Sequence, residues 1–307
     1  MEPEIITAGL DGSAESLAAA HWAADEADRR GAVLRLLHAW IMLAAQAPDT
    51  APERDQNVCA REVVRAASAA VRARHPHLRI VEDLVGDEPE PALLRAAAES
   101  RLLVLGSRAL SAWESFVLGD VGLSVVGRAE GPVVLVRAGG GPGEAERAGP
   151  GGPTAPGRPL PPDASGPRVV AAVGLGGPCD RLLAFAFEEA AGRGVLLQAV
   201  HGRPFPVHVF TPWGADPDAS AEVTAAAEAE LRDALRPWRE RFPGVPVQPT
   251  VVHDSAARAV VQAAGGAGLL VVGRRRHRRL PGAPRVGPVA HAAIHHVTCP
   301  VAIVPHD

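Results

Sequence analysis

The chain contains no lysine. Every basic side chain other than histidine is an arginine, so chemistry that depends on an amine is excluded. That removes the Walker-A phosphate loop, the protein-kinase site, Schiff-base catalysis and the Lys-dependent switch of response regulators. Tyrosine is absent as well, and 6 Phe with 5 Trp bring the aromatic share to only 4%. Basic patches interleaved with aromatic rings, the mark of a single-strand nucleic-acid groove, are missing. A net charge of −4 also argues against nucleic acid as a partner. The three cysteines, Cys59, Cys179 and Cys299, are far apart and odd in number. They read as free thiols of a reducing compartment, not as a disulfide frame or zinc knuckle. No apolar run approaches the ~18 residues of a membrane span. The opening MEPE is acidic and lacks the basic and apolar parts of a signal peptide. The expectation is a cytoplasmic protein with no membrane partner.

What the chain does have is alanine, glycine, proline and aliphatic residues, with 47% hydrophobic content over 307 residues. That suffices for about two cores of ordinary size. Near-continuous apolar runs at Ile5–Leu10, Val33–Ala39, Leu78–Val85, Leu102–Gly106 and Val133–Val136 read as strands covered on both faces. Between them lie helical patterns at Ser13–Arg30, Asn57–Arg74, Pro89–Ser100 and Gly119–Ala129. In the first helix Leu17, Ala20, Ala24 and Ala27 share a face, which predicts its buried side. Alternating β and α elements predict an α/β fold with a doubly wound parallel sheet and right-handed crossovers.

The order then repeats. Strand patterns at Val169–Val173, Val195–His201, Val245–His253, Leu269–Gly273 and Val301–Val304 alternate with helices at Cys179–Arg193, Ala219–Arg241, Ser255–Gly265 and Gly287–Val297. The stretch AADEADRRGAVLRLLHAW matches AFEEAAGRGVLLQAVHGR. Two tandem domains are expected, residues 1–138 and 167–307, joined by a linker at 139–166. Within Ala138–Pro167, 17 of 30 residues are Gly or Pro, a composition that cannot bury a core. In each copy a strand ends in glycine (LLVLG, LLVVG) and a later glycine opens a helix. Such a junction presents backbone N–H groups to phosphate.

The motifs AGLDGS, ADEADRRG, LRLLHAW, VGDEP, VLGSR and GPVVLV in the first half, with VGRRR, GPVAHA and CPVAIVPHD in the second, resemble the universal stress protein family in its tandem, UspA-type form. The resemblance implies two five-stranded Rossmann-like units of the adenine-nucleotide-binding type. It also implies that Val133–Val136 and Val301–Val304 pair the two domains within the chain. Some members bind ATP through G-x2-G-x9-G-(S/T), which falls here on Gly106, Ala109, Gly119 and Asp120. Gly9, Leu10 and Asp11 then match the end of the first strand, with Asp11 as the carboxylate facing adenine or ribose. Ala39 matches a backbone contact to the base, and Val121 and Gly122 follow at the helix start. ATP, with or without Mg2+, is the implied cofactor.

Two of the four motif positions depart. Ala109 for glycine removes the free choice of positive φ near phosphate. Asp120 matters more, because a carboxylate in the first helical turn satisfies the free N–H groups and the dipole itself. Two like charges ~4 Å apart at an effective dielectric of ~20 repel by roughly 4 kcal/mol, more than the ~1 kcal/mol of an ordinary hydrogen bond. The adenosine end is expected to be kept and the phosphate end weakened, unless Mg2+ bridges the charges. In the second half Gly176 is read in the place of Asp11, Arg276 replaces the second glycine and Pro288 removes a donor. No normal ATP site is expected there.

Other residues carry a functional and a structural reading. Arg274, Arg275, Arg276, Arg278 and Arg279 form a basic loop that is either an anion clamp or a solvated loop balancing nearby acids. His291 and His295 have metal-binding spacing, with His296 beside them, but no third ligand is evident and histidines complementing a helix C-terminus account for them. Ser13 and Ser107 lack a nucleophile elbow or a paired His and read as loop chemistry. Trp22, Trp40, Trp113, Trp213 and Trp238 read as packing or loop anchors, and Cys299 as a buried thiol. The expected function is a non-enzymatic stress-response module with at most one adenine-nucleotide site, in the first domain, and at most slow ATP hydrolysis. The alternative is a nucleotide-independent protein-interaction regulator with both pockets vestigial. A ligase or sulfurtransferase is disfavoured, since Leu10-Asp11-Gly12-Ser13 only partly matches a pyrophosphate loop. The protein partner is not identifiable, and homo-oligomerisation is left open.

Overall fold

A computed structural model describes residues 3–41, 56–107, 120–138, 167–211, 213–276 and 286–306. The described residues fall into two compact units, one ending at Ala138 and the other starting at Pro167. Each is a doubly wound α/β unit on a five-stranded parallel sheet. The Gly/Pro-rich segment 139–166 lies outside the described residues.

In the first unit the strands are β1 (Ile5–Leu10), β2 (Val33–Ala39), β3 (Ile80–Val85), β4 (Leu102–Ser107) and β5 (Val133–Arg137). The helices are α1 (Ala14–Arg30), α2 (Gln56–Arg74), α3 (Pro89–Glu99) and α4 (Asp120–Arg128). All neighbouring strands pair in parallel in the order β3-β2-β1-β4-β5. Apolar runs suit this geometry because helices cover both faces, and Ile6, Ala8, Leu34, Leu36 and Val104 are fully buried. The winding reverses between β1 and β4, and ligands of such sheets sit at the carboxyl ends of the strands flanking that reversal.

Helix α1 shows how the sequence fixes that edge. Ser13 caps it, its hydroxyl accepting from the Ser16 N–H at 3.1 Å. Gly31 ends it in the left-handed region at φ 63°, which glycine enters without strain. The buried face is Ser16, Ala19, Ala20, Ala23, Ala24 and Ala27. Leu17, expected there, is instead 37% exposed. Residues this small bring the helix axis close to the sheet, and the stripe that fits is shifted toward Ser16, leaving the larger Leu17 at its rim. Glu26 is buried on α1 and paired with both Arg29 and Arg30.

The second unit repeats the plan with β6 (Val169–Ala172), β7 (Leu197–Gly202), a small hairpin of β8 (Phe210–Thr211) and β9 (Gly214–Ala215), then β10 (Val247–Val252), β11 (Leu269–Arg275) and β12 (Val301–His306). Its helices are α5 (Asp180–Arg193), α6 (Pro217–Arg241), α7 (Ala256–Ala263) and α8 (Pro288–His296). The parallel order is β10-β7-β6-β11-β12. Ile6 pairs with Leu102 in the first unit as Val169 pairs with Leu269 in the second, which sets the copies in register. Among the described residues no helix is long and apolar enough to cross a membrane.

Candidate functional site

At the carboxyl end of β1, Asp11 is held by its neighbours. Its Oδ1 accepts from the Ser13 N–H at 2.9 Å and from the Ser13 hydroxyl, across Gly12 in the left-handed region at φ 81°. One serine therefore caps α1 and fixes an exposed carboxylate at the sheet edge. Gly9 and Leu10 are buried in packing. A Cβ on Gly9 would lie 2.7 Å from Leu105 Cδ2 and 2.9 Å from Leu93 Cδ2. The Leu10 carbonyl accepts from His38 Nδ1 at 2.8 Å, which also assigns that ring's proton. Ala39 is half-buried at the end of β2, paired with Val85.

Beside Asp11, β4 ends in Gly106 and Ser107. A Cβ on Gly106 would stand 2.6 Å from Glu15 C and 2.7 Å from Ser16 N, so the start of α1 packs directly on this glycine. Ser107 is buried, and its Oγ has no hydrogen-bond partner among the described residues. Ala109 and Gly119 lie outside the described residues, as do Arg108 and Trp113. Asp120 is the exposed first residue of α4, followed by exposed Val121 and half-buried Gly122. The fold thus gathers Asp11, Ala39, Gly106 and Ser107 at the carboxyl ends of adjacent strands β2, β1 and β4. The VGDEP segment follows β3 there. Within it the Arg95 guanidinium, 2.6 Å from Asp87 Oδ2, holds that carboxyl below its usual range, helped by the Glu88 N–H. Glu90 ties α3 to α4 through the Ser124 hydroxyl at 2.7 Å and through Arg128, and its carboxyl is lowered by Ser124 first.

The second unit differs at this edge. With Leu10 in register with Val173, the residue matching Asp11 is Gly174, not Gly176. Gly176 instead matches Ser13, and the spacing alone could not show this because α5 starts only at Asp180, after Gly176-Gly177-Pro178. Either way the carboxylate is gone. The basic segment is also not simply a loop. β11 continues past Gly273, pairing Arg274 with Pro305 and Arg275 with His306, because β12 runs on to His306. Arg274 is 6% exposed, and burial first, then the Arg276 charge, pull its pKa down. Arg275 is exposed, while Arg278 and Arg279 lie outside the described residues.

Gly202, the counterpart of Ala39, is occupied from above: a Cβ there would meet Ala256 Cα at 2.7 Å. Nearby, Phe205 stacks on His253 with ring centroids 3.7 Å apart and planes within 12°. His253 Nε2 donates to the Thr224 hydroxyl at 2.7 Å, since that hydroxyl gives its own hydrogen to the Ser220 carbonyl. Burial pushes the His253 pKa below its usual value. The sequence reading missed this cluster, whose members share no motif and meet only through the sheet.

His291 and His295 lie ring to ring at 4.2 Å on α8. Among the described residues no three His, Cys, Asp or Glu side chains converge as a metal site. Trp238 packs on Phe187, whereas Trp213 is 96% exposed on the β8–β9 hairpin and anchors no core. Trp22 and Trp40 are half-buried. Cys59 is exposed, Cys179 half-buried and Cys299 buried.

Comparison with known proteins places this geometry. The universal stress protein family matches residues 3–137 and 167–305, both units. A universal stress protein of Mycobacterium tuberculosis H37Rv is 33% identical over 307 residues, covering 97% of this chain and 96% of its own. A second one from that strain is 28% identical over 337 aligned residues, covering 98% and 96%. The crystal structure of a universal stress protein from Archaeoglobus fulgidus superposes along the whole of both chains, with TM-score 0.67 and 15% identity, a likeness of fold.

Proposed function

The chain belongs to the universal stress protein family, and from that premise we propose that its first unit binds an adenine nucleotide as a regulatory input and does not turn over a substrate. The observation that carries this reading is Asp11, fixed by Ser13 at the carboxyl end of β1, beside the reversal point of the sheet. An anchored carboxylate accepts hydrogen bonds from ribose hydroxyls or an exocyclic amine without first losing side-chain freedom. The buried Ser107 hydroxyl one strand away supports a polar ligand, because such a group is costly to leave unmatched.

Asp120 at the start of α4 sets which part of the nucleotide contributes most. It competes with phosphate for the helix N-terminus, so adenosine and its monophosphate lose little while a triphosphate is disfavoured. Without lysine the chain lacks the amine that phosphoryl-transfer sites place on the transferred phosphate, so the site holds a ligand and does little chemistry. The second unit, lacking the carboxylate at Gly174 and closed by α7 at Gly202, serves as scaffold or partner-binding surface in a cytoplasmic setting. Calorimetric titration of the full chain with adenosine, AMP and ATP, with and without Mg2+, tests the assignment. Saturable binding that Asp11→Asn abolishes is expected. No binding of any of the three would overturn it in favour of a nucleotide-independent regulator.

A further inference from the structure

Helix α2 meets α1 at two places. Near the start of α1, Val63 of α2 packs over the turn that carries Asp11: a Cβ on Gly12 would stand 3.3 Å from Val63 Cγ2. Further along α1, charged groups gather. His75, the residue after α2, donates from Nε2 to Asp25 Oδ1 at 2.8 Å, and its Nδ1 lies 3.6 Å from Asp28 Oδ2. Arg74 Nη2 lies 3.5 Å from the same Asp25 oxygen. His21 stands one turn before Asp25, and its Nδ1 is buried with no hydrogen-bond partner among the described residues. The groups that face it are Asp25 on its own helix, and Arg74 and His75 at the end of α2. Asp25 already serves Arg74 and His75. A protonated His21 has donors on both ring nitrogens, which leaves a buried N–H that nothing accepts and a cation beside Arg74. A proton on His75 differs, because two carboxylates meet it.

We propose that His21 is an acid-sensitive release for α2: protonated, it loosens the α1–α2 contact and with it the Val63 packing over Gly12, so that acidification weakens nucleotide binding at Asp11. Loosening of α2 depends on no ligand, whereas the effect on affinity rests on the nucleotide reading of this unit. Asp11 is held by Ser13 across Gly12 at φ 81°, a short turn that Val63 covers. Burial first, then Arg74, pull the His21 pKa below 6.5. Below 6.5 the loosened form therefore takes up a proton that the packed form refuses, and the packed form loses ground as pH falls. With Glu26 and Glu189 at matching turns, the second unit has Ala184 in the place of His21, so the release belongs to the first unit alone.

The test uses the full chain at about pH 7.5 and about pH 5.5. Hydrogen exchange, corrected for the intrinsic pH dependence of amide exchange, reads α2 directly, and calorimetry with adenosine reads the site. On acidification, protection of α2 should fall roughly 5-fold or more, and adenosine affinity should weaken by a similar factor. His21→Gln, which does not titrate, should remove both effects. Arg74→Gln should reduce them, because the like charge facing His21 is gone. Arg74 is exposed, so this variant tests the release even where His21→Gln folds poorly. His75→Gln should leave α2 sensitive to acid. Full acid loosening of α2 in His21→Gln, or none in the parent chain, overturns the proposal. Loosened α2 with unchanged adenosine affinity overturns the coupling to Asp11. Absence of adenosine binding at both pH values overturns the nucleotide reading, while exchange in α2 still decides for or against the release.

Discussion

Replacing Gly106 with alanine separates two reasons for a glycine at the end of β4, approach to a phosphate and approach of the chain to itself. The added Cβ would lie 2.6 Å from Glu15 C, 2.7 Å from Ser16 N and 2.8 Å from Glu15 O. All three are backbone atoms of the first turn of α1, so no side chain can swing aside. Ordinary contact begins near 3.4 Å, and α1 must therefore retreat by more than half an ångström along a face whose alanines are fully buried. Overpacking of this kind costs about 1–3 kcal/mol. For a unit of this size the melting temperature should fall by roughly 3–9 °C. Two controls set the scale. Gly86→Ala, in open space, should stay within ~0.5 kcal/mol. Gly273→Ala meets the His306 ring at 2.7 Å, the far end of a side chain that can rotate, and should cost less than Gly106→Ala. Urea unfolding of the full chain, with hydrogen exchange on α1 and β4 to localise the loss, reads the effect. Equal stability of Gly106→Ala and Gly86→Ala would refute the packing argument, and lost nucleotide binding in that stable variant would return the glycine to a ligand role.

Asp120→Ser should tighten ATP at least ~10-fold while leaving adenosine unchanged; titrations showing no change in the ATP-to-adenosine ratio would refute self-capping. Ser13→Ala removes the α1 cap and the anchor of Asp11, so about 1 kcal/mol of stability should go together with adenosine affinity. Retained affinity would show that Asp11 needs no anchor. Arg193→Ala takes a charged partner from Glu189, whose side chain is 0% exposed, and should cost about 1–3 kcal/mol in denaturant titration, more than Glu189→Gln. The lowered pKa of His253 gives a pH signature. Below 6.5 the unfolded chain takes up a proton that the folded one refuses, so the second unit should lose stability as pH falls from 6.5 toward the folded value. His253→Gln should flatten that slope.

The strands were legible because their signal is local. Runs such as LLVLG and PVVLV can be buried on both faces only in a covered parallel sheet. The helix stripe was less so: Leu17 fits the periodicity, yet the close approach that Gly106 permits selects a face of smaller residues. Asp11 was legible as a carboxylate after a strand, whereas its fixation by Ser13 needed the left-handed Gly12 between them. The strand character of Arg274 and Arg275 was hidden because it depends on how far a partner strand runs, and His306 lies past the apolar stretch that marked β12. The Phe205–His253 stack joins residues distant in sequence and carries no local signal at all.

The internal duplication provides its own control on which residues serve folding. Where the copies agree in register, the shared features hold the scaffold. Glu26 with Arg30 and Glu189 with Arg193 pair a buried carboxylate with a half-buried guanidinium at matching turns. Gly31 and Gly194 end their helices at the same φ of 63°. His38 and His201 each meet the carbonyl at the end of the first strand, Leu10 at 2.8 Å and Val173 at 2.9 Å. Each of these helps to satisfy a buried charge, a helix end or a buried carbonyl in its own copy. The copies differ at many positions, among them the site residues Asp11 against Gly174, Ser13 against Gly176, Ala39 against Gly202 and Asp120 against Pro288. All four lie at the carboxyl ends of strands or the starts of the helices that follow, the edge that folding leaves free for ligands. The second unit folds without the carboxylate and without the serine cap, starting α5 at Asp180. This architecture is therefore reached without a counterpart of Asp11, which supports the ligand role we propose for that carboxylate in the first unit.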